Sequence, residues 1–236
     1  MEATNLLYRD PALYDAVQAD STGAGMCLAL VESYRPDART LIDFGCGTGR
    51  DLHTLAERFE CVGLDLQPGM VGYALRTRPT LDIRIGDMRT ARLGRRMDVV
   101  TCLGNSLAYV HGNSEITQVF ATFAAHVRRG GLLVLCSPVA PIADSGPMSA
   151  TVGTPDGPAT VTIYYEWDLR TQINTMRRHW TLPSGEQAQD EIRRRVLFPR
   201  ELEQYAERAG FQVLDMTDGR EGPFAGPTAY TVATYT

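Results

Sequence analysis

Residues 41–52, LIDFGCGTGRDL, hold the feature that most limits how this chain can fold. An apolar, strand-like run ends at Phe44, and glycines then occupy the alternate positions 45, 47 and 49. A strand, a glycine loop and a helix start form a cradle for an anion or nucleotide, because glycines permit close approach and the helix start offers free N–H groups. A tight turn that needs glycine for its backbone alone is the competing interpretation.

Composition and spacing exclude two common nucleotide-binding motifs. The chain has no lysine, since all 23 of its basic side chains are arginine, whereas the P-loop requires a lysine. The dinucleotide fingerprint G-x-G-x-x-G would place its third glycine where this chain has Arg50. The net charge of −5 provides no long-range attraction to nucleic acid or to an anionic membrane, so neither is an expected partner.

Strand and helix patterns alternate through residue 137, which predicts a parallel sheet covered by helices on both faces. The predicted strands are 40–44, 61–66, 81–86, 97–103 and 131–137. The predicted helices are 12–19, 26–34, 50–59, 68–76 and one of about four turns that starts at Ser114 and ends before Gly130, with a glycine-rich break at 23–25.

The pattern changes after Pro138. Residues 138–158 are rich in Pro, Gly, Ser and Asp, which predicts a loop. Period-two alternation in 159–169, 173–182 and 190–198 predicts a three-stranded antiparallel meander. A helix within 198–211 and strands 211–217 and 228–235 would complete the sheet. We therefore expect one domain over 1–236, with an inserted β-rich region at about 145–197.

The five cysteines are scattered and show no C-x-x-C pair, which favours a reduced, cytoplasmic compartment. The first residues lack the basic and apolar regions of a signal peptide. No apolar run approaches the length of a membrane span, and we expect no membrane partner and no metal site.

Acidic residues accompany the glycine loop at regular positions. Asp43 precedes the loop by two residues, Asp65 ends the second predicted strand, and Asp87 and Met88 follow the third. The pattern D-x-G-x-G-x-G resembles motif I of class I S-adenosylmethionine (SAM)-dependent methyltransferases. The resemblance implies SAM as cofactor and a Rossmann-like α/β fold, with a seven-stranded, mostly parallel sheet into which the antiparallel meander is inserted.

Roles for individual residues follow from this resemblance. Asp43 would face the ammonium group of SAM, and Asp65 would accept hydrogen bonds from both ribose hydroxyls. Asp87 would accept from the adenine amino group, while Met88 and Met70 would pack on the two adenine faces. The other predicted cofactor contacts are Gly45, Cys46, Gly47, Thr48, Gly49, Leu66, Leu103, Gly104 and Asn105.

Longer stretches narrow the resemblance. ALYDAV, GDMRTARLGRRMDVVTCL, FATFAAHVRRGGLLVL and VLFPRELEQYAERAGF are similar to stretches of bacterial amino-sugar N,N-dimethyltransferases of antibiotic pathways. Two stretches depart from that pattern: SPVAPIADSGP replaces a loop containing Trp-Trp-Phe-Pro, and STGAGM stands where the family has GKDY. Both departures fall where the acceptor should bind. The resemblance therefore predicts transfer to a small-molecule acceptor and favours an amine, with an amino sugar as the nearest analogy.

The catalytic candidates are two histidines and one tyrosine. His126 occupies the place of a family histidine near the substrate amine, although it could instead interact with the end of its helix. His111 follows the fourth strand and is the alternative base. Tyr14 matches a family tyrosine that closes over SAM, and the alternative is an ordinary core tyrosine.

Substrate contacts are predicted after the fourth strand, at Ser106 and Tyr109, and in the meander, at Tyr165 and Trp167. Because side chains alternate along a strand, only every second meander residue can face the pocket. The residues of the other face could form a homodimer interface. Two further functions stay open on sequence alone. One is O- or C-methylation of a small natural product, and the other is a SAM-binding partner protein without transfer activity.

Overall fold

The computed structural model describes residues 5–18, 22–142, 146–220 and 224–236. Its helices are α1 (Leu6–Arg9), α2 (Pro11–Val17), α3 (Thr22–Tyr34), α4 (Arg50–Leu55), α5 (Pro68–Thr77), α6 (Asn113–His126) and α7 (Pro199–Arg208), with a 3-10 turn at Ser106–Tyr109. Its strands are β1 (Thr40–Phe44), β2 (Glu60–Asp65), β3 (Asp82–Ile85), β4 (Met97–Cys102), β5 (Val127–Pro138), β6 (Met148–Thr154), β7 (Gly157–Asp168), β8 (Ile173–Thr181), β9 (Gln187–Arg195), β10 (Phe211–Thr217) and β11 (Thr228–Tyr235).

A seven-stranded sheet forms the centre of the molecule, in the order β10-β11-β5-β4-β1-β2-β3. All neighbouring strands are parallel except β11, which runs antiparallel to β5 and β10. The central strand β4 is buried along its whole length, as its apolar run MDVVTC dictates for a strand covered on both faces. The predicted fold class, a mostly parallel α/β sheet with a separate antiparallel sheet, is confirmed.

Separate apolar clusters cover the two faces of this sheet. One contains Phe120 and Phe123 of α6 and Leu202 of α7, and the other contains Leu52 of α4 and Val71 of α5. Strand order reverses at β1: the chain continues to β2 on one side and later returns through β4 on the other. Ligands of open parallel sheets bind at such a switch point, outside the carboxyl ends of the strands.

The inserted sheet has four strands, β6-β7-β8-β9, rather than the three that alternation predicts. Strand β6 lies within the residues predicted as loop and pairs with β7 through a tight turn at 155–156. The sequence of β6 contains small residues, including Gly and Ser, that do not favour a strand, so the pattern did not predict it. Pairing with the longer strand β7 stabilises β6 nevertheless. The predicted start of the insertion, residue 145, lies outside the described residues.

Several helix boundaries differ from the prediction. α3 begins at Thr22, so the predicted break at 23–25 is wrong; Gly23 lets α3 approach α4, because a Cβ there would lie 2.8 Å from Asp51 Oδ2. α4 ends at Leu55 rather than at Phe59. α6 begins after Gly112 rather than Ser114, and it ends at His126 because β5 follows directly.

Helices α1 and α2 pack on the face of the four-stranded sheet that carries Val161 and Trp180, called the inner face below. Leu7 and Leu13 join Val161 and Trp180 in a third apolar cluster, which places the N-terminal segment beside the carboxyl edge of the central sheet. No described helix combines the length and apolarity that a membrane crossing requires.

Candidate functional site

The glycine loop connects β1 to α4 at the switch point of the sheet. The N–H groups of Gly45 and Cys46 donate to the Leu64 carbonyl, at 2.7 and 3.0 Å. The backbone N–H of Gly47 donates to Asp65 Oδ2 at 2.8 Å. The loop is therefore fastened to the end of β2 by main-chain bonds and by one carboxylate.

The three glycines meet different demands. Gly45 and Gly49 have φ angles of +80° and +75°, and a Cβ would lie 2.5 Å from Ser106 Cβ at the first and 2.6 Å from Ile83 Cδ1 at the second. Protein atoms, not a ligand, therefore exclude side chains at these two positions. At Gly47 the nearest atom to an added Cβ is Met70 Cε at 3.7 Å, and this glycine lines a cavity. Only Gly47 fits the ligand-approach argument directly.

We expect Gly45→Ala to lower the free energy of unfolding by about 2–4 kcal/mol, because it adds left-handed backbone strain to a clash with Ser106. Gly25→Ala is the matched control: Gly25 is an exposed residue of α3 with no atom near an added Cβ, so alanine should stabilise slightly. Urea unfolding of both variants measures the difference. Equal stability of the two variants would contradict this account of the loop.

A cavity of about 230 Å³ opens at the carboxyl ends of β1, β2 and β4, beside the glycine loop. It contains most of the predicted cofactor and substrate residues. Those that line it are Tyr14, Asp43, Gly45, Cys46, Gly47, Asp65, Leu66, Met70, Asp87, Met88, Leu103, Gly104, Ser106 and Tyr109. The cavity is also lined by five residues that were not predicted from the sequence: Tyr8, Asp51, Gln67, Arg89 and Glu115.

Asp65 is oriented by two backbone amides. Its Oδ2 accepts from Gly47 N–H and its Oδ1 from Gln67 N–H, each at 2.8 Å. Each carboxylate oxygen keeps a further lone pair for a hydroxyl donor. The side chain therefore both fixes the glycine loop and can accept hydrogen bonds from a vicinal diol.

Asp43 lies deeper, at the end of β1, and is buried. Its Oδ1 accepts a 2.7 Å hydrogen bond from the Thr101 hydroxyl. The pKa of Asp43 is raised to about 7, chiefly by burial and also by the nearby charges of Asp51 and Asp65, against the lowering effect of the hydrogen bond from the Thr101 hydroxyl. A cation placed beside Asp43 would favour its ionised form.

The carboxylate of Asp87 is partly occupied by its neighbour. Arg89 donates to it from its backbone amide at 2.8 Å, from Nε at 3.0 Å and from Nη2 at 2.6 Å. Arg89 also pairs with Glu115 across the cavity wall. An adenine amino group would therefore have to share Asp87 with this guanidinium, which the strand-end position alone did not predict.

His126 does not reach the cavity. It is 1% exposed, its Nδ1 donates to the Thr122 carbonyl at 2.8 Å, and its Nε2 accepts from Leu93 N–H at 3.0 Å. Burial lowers its pKa. Both ring nitrogens are thus used in holding α6 against the segment before β4, so the structure does not place His126 at the cavity where the predicted base would act.

Other predicted residues also lie outside the first cavity. His111 Nε2 lies 3.1 Å from the Arg193 carbonyl, and Thr48 is buried and donates to Asp15 of α2. Gly49 is buried against Ile83. In the described part of the chain, no histidine lines this cavity or its neighbour.

A second cavity of about 360 Å³ adjoins the first and shares Tyr8, Tyr14, Asp51, Gly104 and Tyr109 with it. Asn105 lines this second cavity rather than the first. Tyr8 packs against Tyr14 and Tyr109, with ring centroids 6.1 and 5.7 Å apart. The three tyrosines therefore form the boundary between the cavities.

The strand register settles which meander face points inward. Tyr165, Met176 and Ile192 share one row across β7, β8 and β9, as do Trp167, Asn174 and Arg194. Ile192 and Arg194 line the second cavity, so Tyr165 and Trp167 lie on the inner face, although neither lines either cavity. The alternating sequence pattern predicted which residues share a face of the meander. It did not predict which face points toward the cavities, because that depends on where the N-terminal segment packs.

Comparison with known proteins places this geometry in context. Residues 41–131 match the profile of a methyltransferase domain. Over 108 residues the chain is 41% identical to a dTDP-3-amino-3,6-dideoxy-α-D-glucopyranose N,N-dimethyltransferase of Streptomyces fradiae, covering 45% of this chain and 42% of the relative. Over 162 residues it is 32% identical to a cypemycin N-terminal methyltransferase of a Streptomyces species, covering 63% and 66%.

Among solved structures, SAM-bound CalS10, an amino pentose methyltransferase from Micromonospora echinaspora, superposes with a TM-score of 0.84. Its identity to this chain is 25%, and the superposition covers 100% of this chain and 99% of that one. In sequence, the chain spans about half the length of the first curated relatives it matches.

Proposed function

We propose that this chain, whose residues 41–131 match the profile of a methyltransferase domain, transfers a methyl group from SAM to an amine nitrogen of a small molecule, with an amino sugar as the leading acceptor. One observation carries the proposal: Asp65 and the glycine loop are joined by a hydrogen bond and face the same cavity at the switch point of the sheet. The likeness to amino-sugar N,N-dimethyltransferases supports the amine.

The residues of the first cavity fit SAM chemically. Gly47 and Gly104 have positive φ angles and no close atom where a side chain would begin, so the backbone can approach a ligand there. Asp65 offers acceptors to ribose hydroxyls, and Met70 and Met88 offer apolar surface to adenine. Asp43 offers a carboxylate to the ammonium group.

SAM, when bound, supplies a methyl group already activated by a sulfonium. The protein's task is to hold a neutral nucleophile in line with that methyl, and such positioning can supply roughly 7–11 kcal/mol. Tyr14 and Tyr109 lie at the boundary of the two cavities, where an acceptor in the second cavity would meet the first. Their hydroxyls can orient the acceptor amine by hydrogen bonding.

The tyrosines at this boundary supply no base for a hydroxyl acceptor. Burial raises the pKa of Tyr14 to about 12 and that of Tyr8 well above its usual value, so both stay protonated near neutral pH. No histidine lines either cavity within the described residues. A hydroxyl nucleophile needs a firm base, whereas an amine can lose its proton to solvent.

A peptide N-terminal amine is a second candidate acceptor. The cypemycin N-terminal methyltransferase matches a longer stretch of this chain than the sugar enzyme of Streptomyces fradiae does. Both candidates require the same nucleophile, an amine nitrogen, and they differ in what the second cavity must hold.

A matched acceptor panel tests the proposal. The chain is incubated with SAM and nucleotide-linked amino sugars, peptides with free N-termini, or the hydroxyl counterparts of each, and formation of S-adenosylhomocysteine is followed. We expect turnover with an amine and none with its hydroxyl counterpart. Turnover with hydroxyl compounds alone would overturn the amine assignment, and SAM binding without turnover on any acceptor would favour a non-catalytic SAM-binding protein.

The raised pKa of Asp43 predicts proton-linked SAM binding. An ammonium group beside Asp43 lowers its pKa from about 7, so binding at about pH 6 should release a proton. Affinity for SAM should therefore rise with pH up to about 7 and then level off. Calorimetry in buffers of different ionisation enthalpy counts the protons. Asp43→Asn should release none, and proton uptake by the unmodified protein would contradict the prediction.

A further inference from the structure

The charges lining the first cavity do not match every part of SAM. Its described charged residues are the carboxylates Asp43, Asp51, Asp65, Asp87 and Glu115 and one cation, Arg89. That guanidinium already donates to Asp87 and Glu115. Within the described lining, the first cavity therefore has acceptors for the ammonium and ribose groups of SAM and no uncommitted cation for its carboxylate.

A cation with unused donors lies next to this cavity. Arg50, the first residue of α4, follows the glycine loop directly and lines the second cavity. Its Nε and Nη1 are buried, and neither has a hydrogen-bond partner among the described residues. Its Nη2 lies 3.7 Å from Asp51 Oδ1. Buried donors of a charged group without acceptors are costly, which indicates that a ligand oxyanion satisfies them.

The path between the cavities leads to this residue. Asp51 lines both cavities and stands next to Arg50 in α4, so a flexible tail leaving the first cavity past Asp51 arrives at the Arg50 guanidinium. Arg194, the other arginine with an unpartnered buried Nε in the second cavity, belongs to β9. Its guanidinium lies over the Tyr109 ring, 5.9 Å from the centroid, on the acceptor side.

We propose that Arg50 binds the α-carboxylate of the methionine portion of SAM. This inference rests on the proposed function, since it assigns a residue of this chain to the same cofactor. The charge pair at residues 50 and 51 then recognises the tail of SAM where it crosses from one cavity to the other. An acid group on the acceptor would offer the same chemistry to Arg50, and the test separates these two sources.

Calorimetric titration with SAM and with decarboxylated SAM, which lacks only the carboxylate, tests the proposal. Arg50→Gln should weaken SAM binding about tenfold to a hundredfold and leave binding of decarboxylated SAM unchanged. Arg50→Lys, which keeps the charge, should recover part of the loss. Arg84→Gln, at an exposed arginine outside both cavities, is the control and should change the affinity for neither compound. Arg194→Gln tests the rival cation of the second cavity and should cause no selective loss of SAM affinity.

Three outcomes would overturn the assignment and leave the proposed function standing. The first is Arg50→Gln weakening neither compound or both equally, as expected if Arg50 serves the acceptor or the fold instead. The second is a selective loss of SAM affinity in Arg194→Gln. The third is equal binding of both compounds by the unmodified protein, which would remove the carboxylate from recognition while leaving the proposed function standing. Binding of neither compound would refute the proposed function together with this inference.

Discussion

Replacing Asp65 with alanine is expected to weaken SAM binding by at least about a hundredfold. The ribose hydroxyls of SAM would lose the carboxylate that accepts two hydrogen bonds from them, and bonds to a charged group contribute about 1.5–3 kcal/mol each. The loss has a second component, because Asp65 Oδ2 also accepts from Gly47 N–H and so holds the glycine loop in place. Calorimetric titration with SAM measures the combined effect.

Two further variants sharpen this prediction. Asp82→Ala removes an exposed carboxylate that pairs with Arg84, outside both cavities, and should leave SAM affinity unchanged. Asp65→Asn keeps one acceptor oxygen and should give an intermediate affinity. A thermal unfolding scan of each unliganded variant separates loss of binding from loss of fold. SAM affinity of Asp65→Ala equal to that of the unmodified protein would contradict the cofactor assignment.

Arg178→Ala should lower the free energy of unfolding by about 3–5 kcal/mol, because it leaves the buried carboxylate of Asp190 without its ion pair. Arg178 donates to Asp190 from Nε at 2.8 Å and from Nη2 at 2.5 Å, and to Asn5 Oδ1 at 2.7 Å. Asp190 also accepts from Leu6 N–H at 2.7 Å. This network fastens the segment that carries Tyr8 and Tyr14 to the four-stranded sheet.

The neighbouring residue supplies the control. Arg177 points to the opposite face of β8, where its half-exposed side chain pairs with Glu166 and Glu191. Arg177→Ala should therefore change stability by no more than about 1 kcal/mol. Urea unfolding of the two variants gives the comparison, and equal losses would show that the buried network does not hold the N-terminal segment. Arg178→Ala should also bind acceptor less tightly, because the tyrosine boundary depends on that segment.

The placement of the predicted cofactor residues around one cavity was predictable from the sequence because these residues are local. Asp43, the glycine loop and Asp65 follow strands whose pattern is plain, and parallel strands bring their carboxyl ends to one edge. Tyr14 and Tyr109 were found through the resemblance, and both line the cavities. These side chains needed no knowledge of how distant segments pack.

The residues that were missed depend on long-range packing. Tyr8 and Arg50 meet at the second cavity only because the N-terminal segment docks on a sheet more than a hundred residues away along the chain. The adjacent pair Arg50–Asp51, directly after the glycine loop, was the one local signal available for this cavity. His126 was misplaced for the reverse reason, since its motif position did not reveal that Thr122 and Leu93 occupy both ring nitrogens.

Transfer of a methyl group to nitrogen is tested most sharply by the position of an isotope-labelled methyl in the product. The chain is supplied with methyl-labelled SAM and an amino-sugar nucleotide that also carries free hydroxyls, and the product is analysed by NMR. We expect the label on the amine nitrogen. A label on a hydroxyl oxygen or on carbon, or an unlabelled sugar recovered from a protein shown to bind SAM, would contradict it.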